Sequence, residues 1–405
     1  MKVLFIVTSF IRDEKDVINP WMIETIEQLK SRGVEVTVYT SAWRGLRDHE
    51  VRGIPVRRFH YLPARLEILS HDRTIPDQIK QNKLVLLLVA PYLLFGVLGL
   101  RRLLKKERFD VIHVHWPFPL GIFGYFAGKW ARAPVINEFY GVELRWVFNR
   151  MPIFIPFVRW ILNYSDLVVA ISSHTRSEIE RIAPVKVEVV PYGSAVPAVK
   201  PAEAGQPDPG RTRRILFVGR LVERKGVEYL IRAVPELELP FPVELDIVGG
   251  GPEEESLREL VRLLGLAGRV NLAGRVSNER LKEFYAGCDC FVLPAIVDSR
   301  GDTEGLGVVM IEALSYRKPV VASALGGIVD VIHHDQTGLL VPEKDPRALA
   351  AAIRRLLTDE ALSRRLGEEG FRFISRYFDW NRIAGRWLEL YAEIVGRNKK
   401  DSPSK

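Results

Sequence analysis

Short apolar runs alternate with longer segments of mixed apolar and polar residues along the whole of this 405-residue chain. Nearly every position in a run is apolar, and most runs are rich in valine and isoleucine. Such runs, separated by segments of helical periodicity, are typical of parallel sheets that helices cover on both faces. The pattern predicts an α/β fold with two doubly wound parallel sheets. The runs are VLFIVTS, VEVTVYT, DVIHVH, PVINEF, LVVAIS and VEVVPYG in the first half, and RILFVGR, VELDIVGG, RVNLAG, CFVLPA, PVVASA and TGLLVP in the second.

A break in this pattern divides the chain into two halves. Residues 196–213 read VPAVKPAEAGQPDPGRTR, a stretch rich in Pro, Ala and Gly with little periodicity, which is typical of a linker. We therefore expect an N-terminal domain at 1–195, a second domain at 214–375 and a disordered tail at 398–405. Ligands of doubly wound sheets bind at the carboxyl ends of the strands, so the sequence predicts an active site in a cleft between the halves.

The charge is unevenly distributed between the halves. Residues 1–195 contain 27 Lys and Arg against 19 Asp and Glu, whereas residues 196–405 contain 31 of each. The first half should therefore face an anionic partner, such as lipid headgroups or a phosphorylated acceptor. Nucleic acid is not expected, because no nucleic-acid-binding module is recognisable. The two cysteines, Cys288 and Cys290, and an N-terminal apolar run that passes directly into charge indicate a cytoplasmic protein without a signal peptide.

One segment has an unusual composition for a soluble domain. Leu84–Leu100 contains 17 consecutive uncharged residues, and the surrounding Lys80–Arg108 contains seven basic residues and a single acid, Glu107. As a helix the segment would be about 25 Å long, shorter than a hydrocarbon core of roughly 30 Å, and Pro91 would interrupt it. Three interpretations stay open: a buried helix, a transmembrane span, or a helix in the membrane interface whose basic flanks contact phospholipid headgroups. The aromatic and apolar stretch at 151–162 is compatible with the interfacial helix.

Two carboxylates lie in the segment TEGLGVVMIEALSY, at Glu304 and Glu312. Glu304 precedes Gly305 and Gly307, whose small size lets backbone N–H groups approach a ligand at a helix N-terminus. Glu312 is the only charge in the apolar helix that follows, and its burial is costly unless something hydrogen-bonds it. Ribose hydroxyls of a nucleotide would do so, and so would a buried arginine or backbone amides. The pair could grip the two ends of one extended ligand.

Two glycine-flanked motifs follow predicted strands in the same half. GRLVERKG, at Gly219–Gly226, puts Arg220 and Lys225 at the carboxyl end of a strand, where two cations suit a diphosphate; solvated surface charge is the alternative. DIVGGGPEEESLREL ends a strand with Gly249–Gly251 and opens a helix with Pro252, which allows a close approach to a ligand or only a tight turn. The chain has neither the dinucleotide-binding fingerprint nor a P-loop.

These motifs occur in a characteristic order. GRLVERKG, IVGGGPE, GRVSNERLKEFYAGCD, LPA, EGLGVVMIEA, KPVVASALGG and TGLLVP follow one another through the second half, and DVIHVHWPFPLG, FYGVEL, SDLVVAIS and PYGSAV give a looser match in the first. In this the chain resembles the family 4 retaining glycosyltransferases (glycosyl transferases group 1). Their GT-B fold has two Rossmann-like domains that face a cleft. YFDWNRIAGRWLELY resembles the family's closing helix, so we expect residues 376–397 to form a helix that packs on the first domain.

The resemblance implies a role for each matching position. Arg220 and Lys225 would bind and stabilise the donor diphosphate, Glu312 would hold the ribose, and Glu304 would hold the donor sugar. Arg275 and Val276 match the segment that contacts the base. The catalytic residues implied are Arg220, Lys225 and Glu304, and the donor-binding residues are Gly219, Arg220, Lys225, Gly249, Gly250, Arg275, Val276, Glu304, Gly305, Leu306, Gly307 and Glu312. Such enzymes generally need no metal and no cofactor, because lysine and arginine supply the charge and the UDP- or GDP-sugar is a substrate.

The first half departs from the family at one position near the reacting sugar. Many members have a histidine in an H-G-x-D/E motif, whereas this chain reads FYGVE from Phe139 to Glu143, so that Tyr140 replaces the histidine. A phenol can hydrogen-bond a sugar hydroxyl but is a poor base near pH 7, because its ordinary pKa is about 10. A front-face mechanism needs little base, so the replacement leaves activity possible.

The first loop is the second departure. Many relatives have a Gly-Gly pair there that approaches the phosphates, whereas this chain reads SFIRDEKDVINPW, in which Asn19 and Pro20 cannot offer the same close backbone. Arg12 or Lys15 could contact phosphates instead.

His113 and His115 alternate on one predicted strand and so share a face. Core packing or acceptor binding is favoured over metal ligation, and His115, at the end of the strand, is the better candidate for contact with the acceptor. No Cys/His spacing suitable for zinc is present, so we expect no metal.

The sequence therefore predicts a retaining glycosyltransferase with its donor in the second domain and its acceptor in the first. We expect a membrane-associated lipid-linked glycan or lipid phosphate as the acceptor, and a protein that is peripheral on the inner face of the membrane. A soluble sugar or sugar-phosphate acceptor, and an inactive nucleotide-sugar-binding protein, are the alternatives.

Overall fold

The structure, a computed structural model, describes residues 1–14, 16, 18–71, 78, 83–193 and 211–401. The chain forms two compact units. The first contains Met1–Ile171, Thr175–Tyr192 and Ile383–Lys405, and the second contains Ser172–His174 and Gly193–Arg382. The predicted linker at 196–213 lies outside the described residues except at its end, where Arg213 already begins a strand.

One sheet of eight strands forms the centre of the first unit. In chain order the strands are β1 (Lys2–Ile6), β2 (Glu35–Ser41), β3 (His49–Val51), β4 (Ile54–Phe59), β5 (Val111–His115), β6 (Val135–Phe139), β7 (Leu167–Ala170) and β8 (Val187–Val189). Their order across the sheet is β3-β4-β2-β1-β5-β6-β7-β8, and every neighbouring pair is parallel except β3 and β4. All six predicted strands of the first half are present.

The β3–β4 hairpin at the edge of this sheet was not predicted. Its turn consists of Arg52 and Gly53, which both have positive φ, at 52° and 66°. Two residues with positive φ form the tight turn whose twist matches that of the flanking strands. The hairpin was missed because charged residues interrupt its apolar pattern.

Helices cover both faces of this sheet, as the apolar runs require. The main core cluster joins residues of the central strands, such as Leu4 and Val114, to aromatic rings of the flanking elements, such as Phe59 and Phe123. The helices of the first unit are α1 (Pro20–Lys30), α2 (Leu86–Lys106), α3 (Pro117–Ala131), α4 (Val142–Arg150), α5 (Ile155–Tyr164) and α6 (Ser173–Glu180).

Helix α2 corrects one expectation. Pro91 does not interrupt it, because this proline lies near the helix start and the 21 helical residues continue through it. The helix is therefore about 31 Å long and extends into its basic C-terminal turns. Among the described residues it is the one helix long and apolar enough to cross a membrane, by length and composition. Tyr92, Gly96, Leu100 and Leu103 are buried in the core, and Leu88, Leu93, Val97 and Leu104 pack against it while partly buried.

A fully parallel sheet of six strands forms the second unit. The strands are β9 (Arg213–Val218), β10 (Val243–Val248), β11 (Val270–Gly274), β12 (Cys290–Leu293), β13 (Val320–Ser323) and β14 (Leu339–Val341), and the helices are α7 (Val227–Ala233), α8 (Glu254–Leu263), α9 (Asn278–Gly287), α10 (Val308–Ser315), α11 (Pro346–Thr358) and α12 (Glu360–Tyr377). The strand order is β11-β10-β9-β12-β13-β14. The doubly wound α/β prediction is confirmed for both units. Cys288 and Cys290 are free thiols in the core.

The chain ends in a long helix, α13 (Trp380–Asp401), whose bounds differ from the predicted 376–397. Helix α12 occupies the first residues of the predicted range, and residues 398–401 of the predicted tail are helical, while 402–405 lie outside the described residues. From Ile383 onward the helix belongs to the first unit. There Trp387 and Tyr391 are buried, and the Tyr391 hydroxyl lies 2.9 Å from Nδ1 of His113.

Each sheet has one place where the strand order reverses. The chain runs outward in one direction from β1 through β2 and in the other from β5, and the corresponding pair in the second sheet is β9 and β12. At such a switch point the loops that follow the two central strands separate and leave a crevice at the carboxyl ends, where ligands of open α/β sheets bind. The two switch points are therefore the places to examine for chemistry.

Candidate functional site

Two opposite charges meet across the switch point of the second sheet. Lys225 lies in the turn after β9 and Glu304 in the loop after β12, and Lys225 Nζ lies 2.5 Å from Glu304 Oε2. Both side chains are buried, at 8% exposure each. The guanidinium of Arg224 lies 3.4 Å from the same carboxylate oxygen. A buried lysine–glutamate pair adds little stability, since desolvation offsets most of the Coulomb attraction, so its position in a crevice points to a functional site.

Glycines bring the loops after β9 and β10 into direct backbone contact. Gly249 has a φ of 135°, and a Cβ at this position would lie 1.9 Å from the carbonyl oxygen of Gly219. The N–H of Gly219 donates to the Val248 carbonyl at 2.9 Å, and that of Gly249 donates to the Gly274 carbonyl at 2.8 Å. Only glycine fits at Gly249, because any side chain would strain the backbone and collide with the neighbouring loop.

Two arginines extend the positive charge around these glycines. Arg220 is exposed, and its guanidinium has no ion-pair partner in the part of the chain that the structure describes. Arg275 is exposed as well, and its Nε would lie 3.3 Å from a Cβ built on Gly250, so the side chain lies against that glycine. Val276 is half-buried beside it. The crevice thus offers two uncommitted guanidinium groups, each able to bind a phosphate with two parallel hydrogen bonds.

Backbone contacts with Gly327 hold the loop that carries Glu304. Gly327 donates its N–H to the Glu304 carbonyl at 3.0 Å, and a Cβ on Gly327 would lie 1.9 Å from the Gly305 carbonyl oxygen. Leu306 is fully buried, and Gly307 caps the N-terminus of α10 with a φ of 82°. These contacts fix the direction of the Glu304 side chain and leave the N-terminus of α10 beside it.

Glu312 lies in the second turn of α10 and is half-buried. Its carboxylate accepts a hydrogen bond of 2.7 Å from the Tyr285 hydroxyl. Burial raises the pKa of Glu312, and the Tyr285 hydrogen bond and the positive charge of Lys225 oppose that rise. The partner is therefore a phenol, which was not among the partners considered from the sequence. A carboxylate accepts at several positions, so this single bond leaves Glu312 able to accept from a ligand hydroxyl.

A buried hydrogen-bonded chain lies at the carboxyl ends of β5 and β6 in the first unit. Glu138 Oε2 lies 3.1 Å from Nε2 of His113 and 2.9 Å from Nδ1 of His115, and the same Nδ1 lies 2.8 Å from the Tyr140 hydroxyl. His113 in turn meets Tyr391 of α13. His115 is only 1% exposed, so its imidazole is buried behind Tyr140 and is not open to direct contact with a ligand.

The pKa shifts in this chain follow from burial and from the Glu138 charge. Burial disfavours ionisation of Glu138, but the charges and hydrogen bonds of His115 and His113 outweigh it and lower its pKa to about 2. Burial, helped by His115, lowers the pKa of His113 to about 4. Burial and the Glu138 carboxylate raise the pKa of Tyr140 well above its ordinary value, so this phenol stays neutral. Tyr140 is thus a hydrogen-bonding group and not a base.

His113, His115 and Glu138 are the one set of potential metal ligands among the described residues. The ligand atoms of His113, His115 and Glu138 lie within 4.8 Å of one another, and all three residues are buried. Glu138 Oε2 lies within ion-pair distance of one nitrogen of each imidazole, and Nδ1 of His115 also contacts the Tyr140 hydroxyl, while Nε2 of both histidines lacks a hydrogen-bond partner among the described residues. A structural role in fixing Tyr140 follows from these contacts.

The structure describes one of the two cations expected in the first loop. Arg12 Nε donates to Asp16 Oδ2 at 2.6 Å, and its guanidinium lies 4.6 Å from the centre of the Trp43 ring. Arg12 is therefore held by partners within its own unit. Lys15 lies outside the described residues.

Sequence reasoning missed two contributors to the second-unit site. Arg224 was passed over in favour of its neighbour Lys225, although it reaches both Glu304 and Asp302, the latter at 3.5 Å. Tyr285 was not considered, because nothing in the spacing of FYAGCD and EGLGVVMIEA indicates that its hydroxyl reaches Glu312. The signal available for Tyr285 was an aromatic residue shortly before a predicted strand. The signal for Arg224 was a second basic residue next to Lys225 in the sequence ERK.

Comparisons with known proteins agree with this geometry. Residues 201–373 match the family model described as glycosyl transferases group 1, and residues 22–193 match the one described as glycosyl transferase 4-like domain. The chain is 28% identical to the GDP-mannose-dependent alpha-(1-6)-phosphatidylinositol monomannoside mannosyltransferase of Mycobacterium tuberculosis, over 72% of this chain and 78% of that one. It is also 28% identical to the D-inositol 3-phosphate glycosyltransferase of Kineococcus radiotolerans, over 93% of this chain and 90% of that one.

Solved structures share the fold over nearly the full length. Sucrose-phosphate synthase from Thermosynechococcus elongatus superposes with a TM-score of 0.74 at 21% identity, covering 98% of this chain and 100% of that one. HepE of Anabaena, in complex with UDP and glucose, gives a TM-score of 0.68 at 18% identity, with 97% and 100% covered. The motif order, the two switch points and these likenesses lead to one conclusion: the chain belongs to the group 1, family 4 glycosyltransferases and has the GT-B fold.

Proposed function

We propose that this glycosyltransferase binds a nucleoside-diphosphate sugar in the second unit and transfers the sugar with retention at the anomeric carbon, without a metal ion. The Lys225–Glu304 pair carries the proposal, since it lies at the switch point, and Arg220 and Arg275 follow the carboxyl ends of β9 and β11 at the same edge of the sheet. Fixed cations beside a leaving diphosphate stabilise the charge that develops on it, which is what a divalent ion does in other transferases.

Each side chain has a separate part in this reaction. An ammonium group has three donors, so Lys225 can keep Glu304 and still bind a β-phosphate oxygen together with Arg220. Glu304 accepts from hydroxyls of the donor sugar, and Glu312, held by Tyr285, accepts from the ribose. Arg275 and Val276 flank the base. The donor is a UDP- or GDP-sugar: the mycobacterial relative is named for GDP-mannose, and the HepE structure contains UDP.

The transfer itself needs no side-chain base in this scheme. The bond between the anomeric carbon and the β-phosphate oxygen breaks, the acceptor oxygen bonds to the same face of that carbon, and the acceptor proton moves to the leaving phosphate. A neutral Tyr140 suits this route, because its raised pKa keeps it protonated and able to donate to the sugar.

For the acceptor, we favour a lipid-linked glycan or lipid phosphate at a membrane surface. The outer side of α2 is apolar, with Leu87 at 70% exposure and Leu94 at 58%, and Leu84, in the turn before the helix, is 67% exposed. On neighbouring α3, Trp130 is exposed and lies 5.7 Å from the Arg101 guanidinium. An apolar face rimmed by cations is what an interfacial helix presents to anionic lipid. The exposed basic residues of this rim are Arg101, Arg102, Lys105, Lys106, Arg108, Lys129 and Arg132.

A soluble acceptor, such as a sugar or a sugar phosphate, is the second candidate. It is favoured by the relative named for D-inositol 3-phosphate, which matches over 93% of this chain. The third candidate is a nucleotide-sugar-binding protein without activity, which the replacement of the family histidine by Tyr140 leaves open.

The donor assignment is tested by a thermal-shift screen of UDP-, GDP- and ADP-sugars on the wild type and on Glu312→Ala. A donor at about 100 times its Kd adds roughly 2.7 kcal/mol of stability. We expect one nucleotide to raise Tm, and the rise to be lost in the variant. Turnover of that donor, even to water, excludes the inactive protein. EDTA should leave the turnover rate unchanged, and NMR of the product should give the anomeric configuration of the donor. No shift with any donor would contradict the proposed site.

The proposed association of the α2 face with a membrane is tested by sedimentation with liposomes. We expect binding to vesicles with anionic phosphatidylglycerol at low salt, weak binding to neutral phosphatidylcholine, and a loss of binding in Leu87→Asp. Leu263→Asp is the matched control, since Leu263 is 66% exposed on the second unit. Equal binding of both variants would refute the α2 face, and absence of any vesicle binding would favour the soluble acceptor.

A further inference from the structure

Four aromatic rings meet at the switch point of the first sheet. Trp21 comes from the start of α1, which follows the loop after β1, and Trp116 directly follows β5. Tyr140 directly follows β6, and Tyr192 lies shortly after β8. All four therefore lie at the carboxyl ends of parallel strands, and Trp21 and Trp116 belong to the two loops that flank the reversal of strand order. We call this group the aromatic wall.

The rings pack face against face around Tyr140. Trp116 stacks on Tyr140 with ring centres 4.6 Å apart, and Trp21 stacks on Tyr192 at 4.9 Å. Trp21 and Tyr140 lie 5.1 Å apart with their planes tilted by 38°, so the two stacked pairs join into one cluster. Tyr140 is buried, but the other three rings are half-buried, which leaves part of their aromatic area open.

The backbone at this wall is held in an unusual conformation. Trp116 has a φ of 51° and Asn19, two residues before Trp21, has a φ of 49°. A left-handed conformation is strained for a bulky residue such as tryptophan and persists only where the surroundings enforce it, commonly at functional sites. The Tyr140 hydroxyl is fixed in addition by His115 at 2.8 Å. The wall is thus a rigid surface rather than loose packing at a loop.

We propose that the aromatic wall is an acceptor subsite that binds the C–H face of a ring, either a pyranoside or a cyclitol. This inference rests on the proposed function, in which the donor occupies the second unit. Aromatic faces carry negative charge from the ring quadrupole, and they attract groups of slight positive charge. The C–H bonds on one face of a saturated sugar or inositol ring form such a group, while the ring hydroxyls point outward to other partners.

The wall suits this ligand better than the other molecules of the reaction. An open-chain acid such as L-malate has no C–H face to cover two stacked pairs of rings. A diphosphate needs cations, and Arg12, the described cation of the first loop, is paired with Asp16. A nucleobase also stacks on aromatic rings. The experiment must therefore distinguish a bound nucleobase from a bound acceptor ring.

Binding is tested by saturation-transfer-difference NMR on the full chain with UDP or GDP present. The probes are methyl β-D-glucopyranoside and myo-inositol, with L-malate as the ringless probe. We expect saturation of the ring C–H protons in the wild type, at least a fivefold loss in Trp21→Ala and in Trp116→Ala, and none for malate. Trp160→Ala is the matched control, since this half-buried tryptophan lies on α5 and its ring contacts Tyr125, Phe157 and Tyr164 rather than a ring of the wall. No saturation of either ring probe in the wild type overturns the proposal.

A second readout separates the acceptor subsite from the donor site. Release of nucleoside diphosphate by hydrolysis of the donor in water needs no acceptor, so we expect both tryptophan variants to retain it within about twofold. The donor-induced thermal shift should be equally unaffected, while Trp→Phe at either position restores part of the ring binding. If hydrolysis and the thermal shift fall together with ring binding, the wall holds the donor and the acceptor assignment is wrong. If the wild type shows neither donor hydrolysis nor a donor-induced thermal shift, the proposed function itself is wrong.

Discussion

The two switch points have the same topology and opposite chemistry. In the second unit, glycine loops surround a buried lysine–glutamate pair and two uncommitted guanidinium groups. In the first unit, four aromatic rings cover the corresponding crevice, and the buried carboxyls beside Tyr140 have partners within the unit: Glu138 lies beside two imidazoles, and Glu143 accepts the Tyr140 N–H. The comparison teaches that the doubly wound sheet fixes where a ligand binds, whereas the loop residues decide which chemistry it must have.

The difference also follows from what each ligand requires. A diphosphate must be desolvated against fixed positive charge and closely approached backbone, which demands lysine, arginine and glycine. A neutral ring acceptor offers C–H faces and hydroxyls, which demands aromatic faces and few charges. Each prediction below tests one side of this contrast.

The largest effect is expected for Gly249→Ala. Its methyl group would meet the Gly219 carbonyl oxygen at 1.9 Å, and its φ of 135° would be strained, so the loops after β9 and β10 must separate. We expect loss of measurable binding for the nucleotide that binds the wild type, by isothermal calorimetry. Gly287→Ala is the control, because a Cβ there meets nothing within 4 Å. Unchanged affinity in Gly249→Ala would mean that the glycine loops do not form the donor site.

Removal of the central cation comes next. Lys225→Ala should lower the rate of donor turnover about 10²- to 10³-fold, the usual cost of one group that stabilises developing negative charge. It also leaves Glu304 buried without its closest partner, so Tm should fall. The measurement is nucleotide release by chromatography, with the exposed Lys282→Ala as control. A rate within threefold of the wild type would remove Lys225 from the chemistry.

On the aromatic side, Glu143 predicts a pH effect on stability. This carboxyl is buried and accepts the Tyr140 N–H at 2.8 Å, and burial raises its pKa to about 7. Between pH 4.5 and 7 the folded state keeps a proton that the unfolded state loses, so the free energy of unfolding falls as pH rises through that window. Glu143→Gln removes the titration and keeps an acceptor. The free energy of unfolding of this variant, measured relative to that of the wild type, should be about 2–3 kcal/mol higher at pH 8 than at pH 5.

Urea unfolding at the two pH values measures this gain. Glu35→Gln, the loss of an exposed carboxylate in the same unit, gives the baseline. An equal wild-type-to-variant difference at pH 5 and pH 8 would show that Glu143 is ionised at neutral pH, and the first-unit crevice would then carry a charge like that of the second.

The smallest effect is expected at the ribose end of the donor site. Tyr285→Phe removes the hydroxyl that donates to Glu312 at 2.7 Å and leaves the ring packing in place. A single such bond contributes on the order of 1 kcal/mol, so nucleotide affinity should fall by about five- to tenfold. Tyr229→Phe, on α7 of the same unit, is the control. Unchanged affinity would indicate that Glu312 does not depend on Tyr285.

The sequence predicted much of the polar site because its parts are local. Each motif ends a strand, and parallel strands bring all their carboxyl ends to one edge, so Lys225 and Glu304 could be expected to meet although 79 positions separate them. The Tyr285–Glu312 bond could not be expected, since it depends on the rotation of α9 relative to α10. The aromatic wall could not be expected either, because its rings come from four separate segments whose spacing has no periodicity.

The bounds of the elements show a similar limit. Every predicted strand formed, because a fully apolar run cannot remain in water. The β3–β4 hairpin was missed, since an edge strand with charged positions lacks that pattern. Pro91 was expected to interrupt α2, but the helix continues through it. A proline at this position removes one intrahelical hydrogen bond, and the other bonds of the 21-residue helix remain.

The long last helix has a consequence for how the protein is made. Trp387, Leu390 and Tyr391 are buried in the first unit, yet they are encoded after the whole second unit. While the ribosome is still translating the second unit, the nascent first unit therefore lacks part of its core, and His113 has no phenol to meet. The first unit should become protease-resistant only after α13 has been translated, so that the unit translated first completes its fold after the second unit has been made.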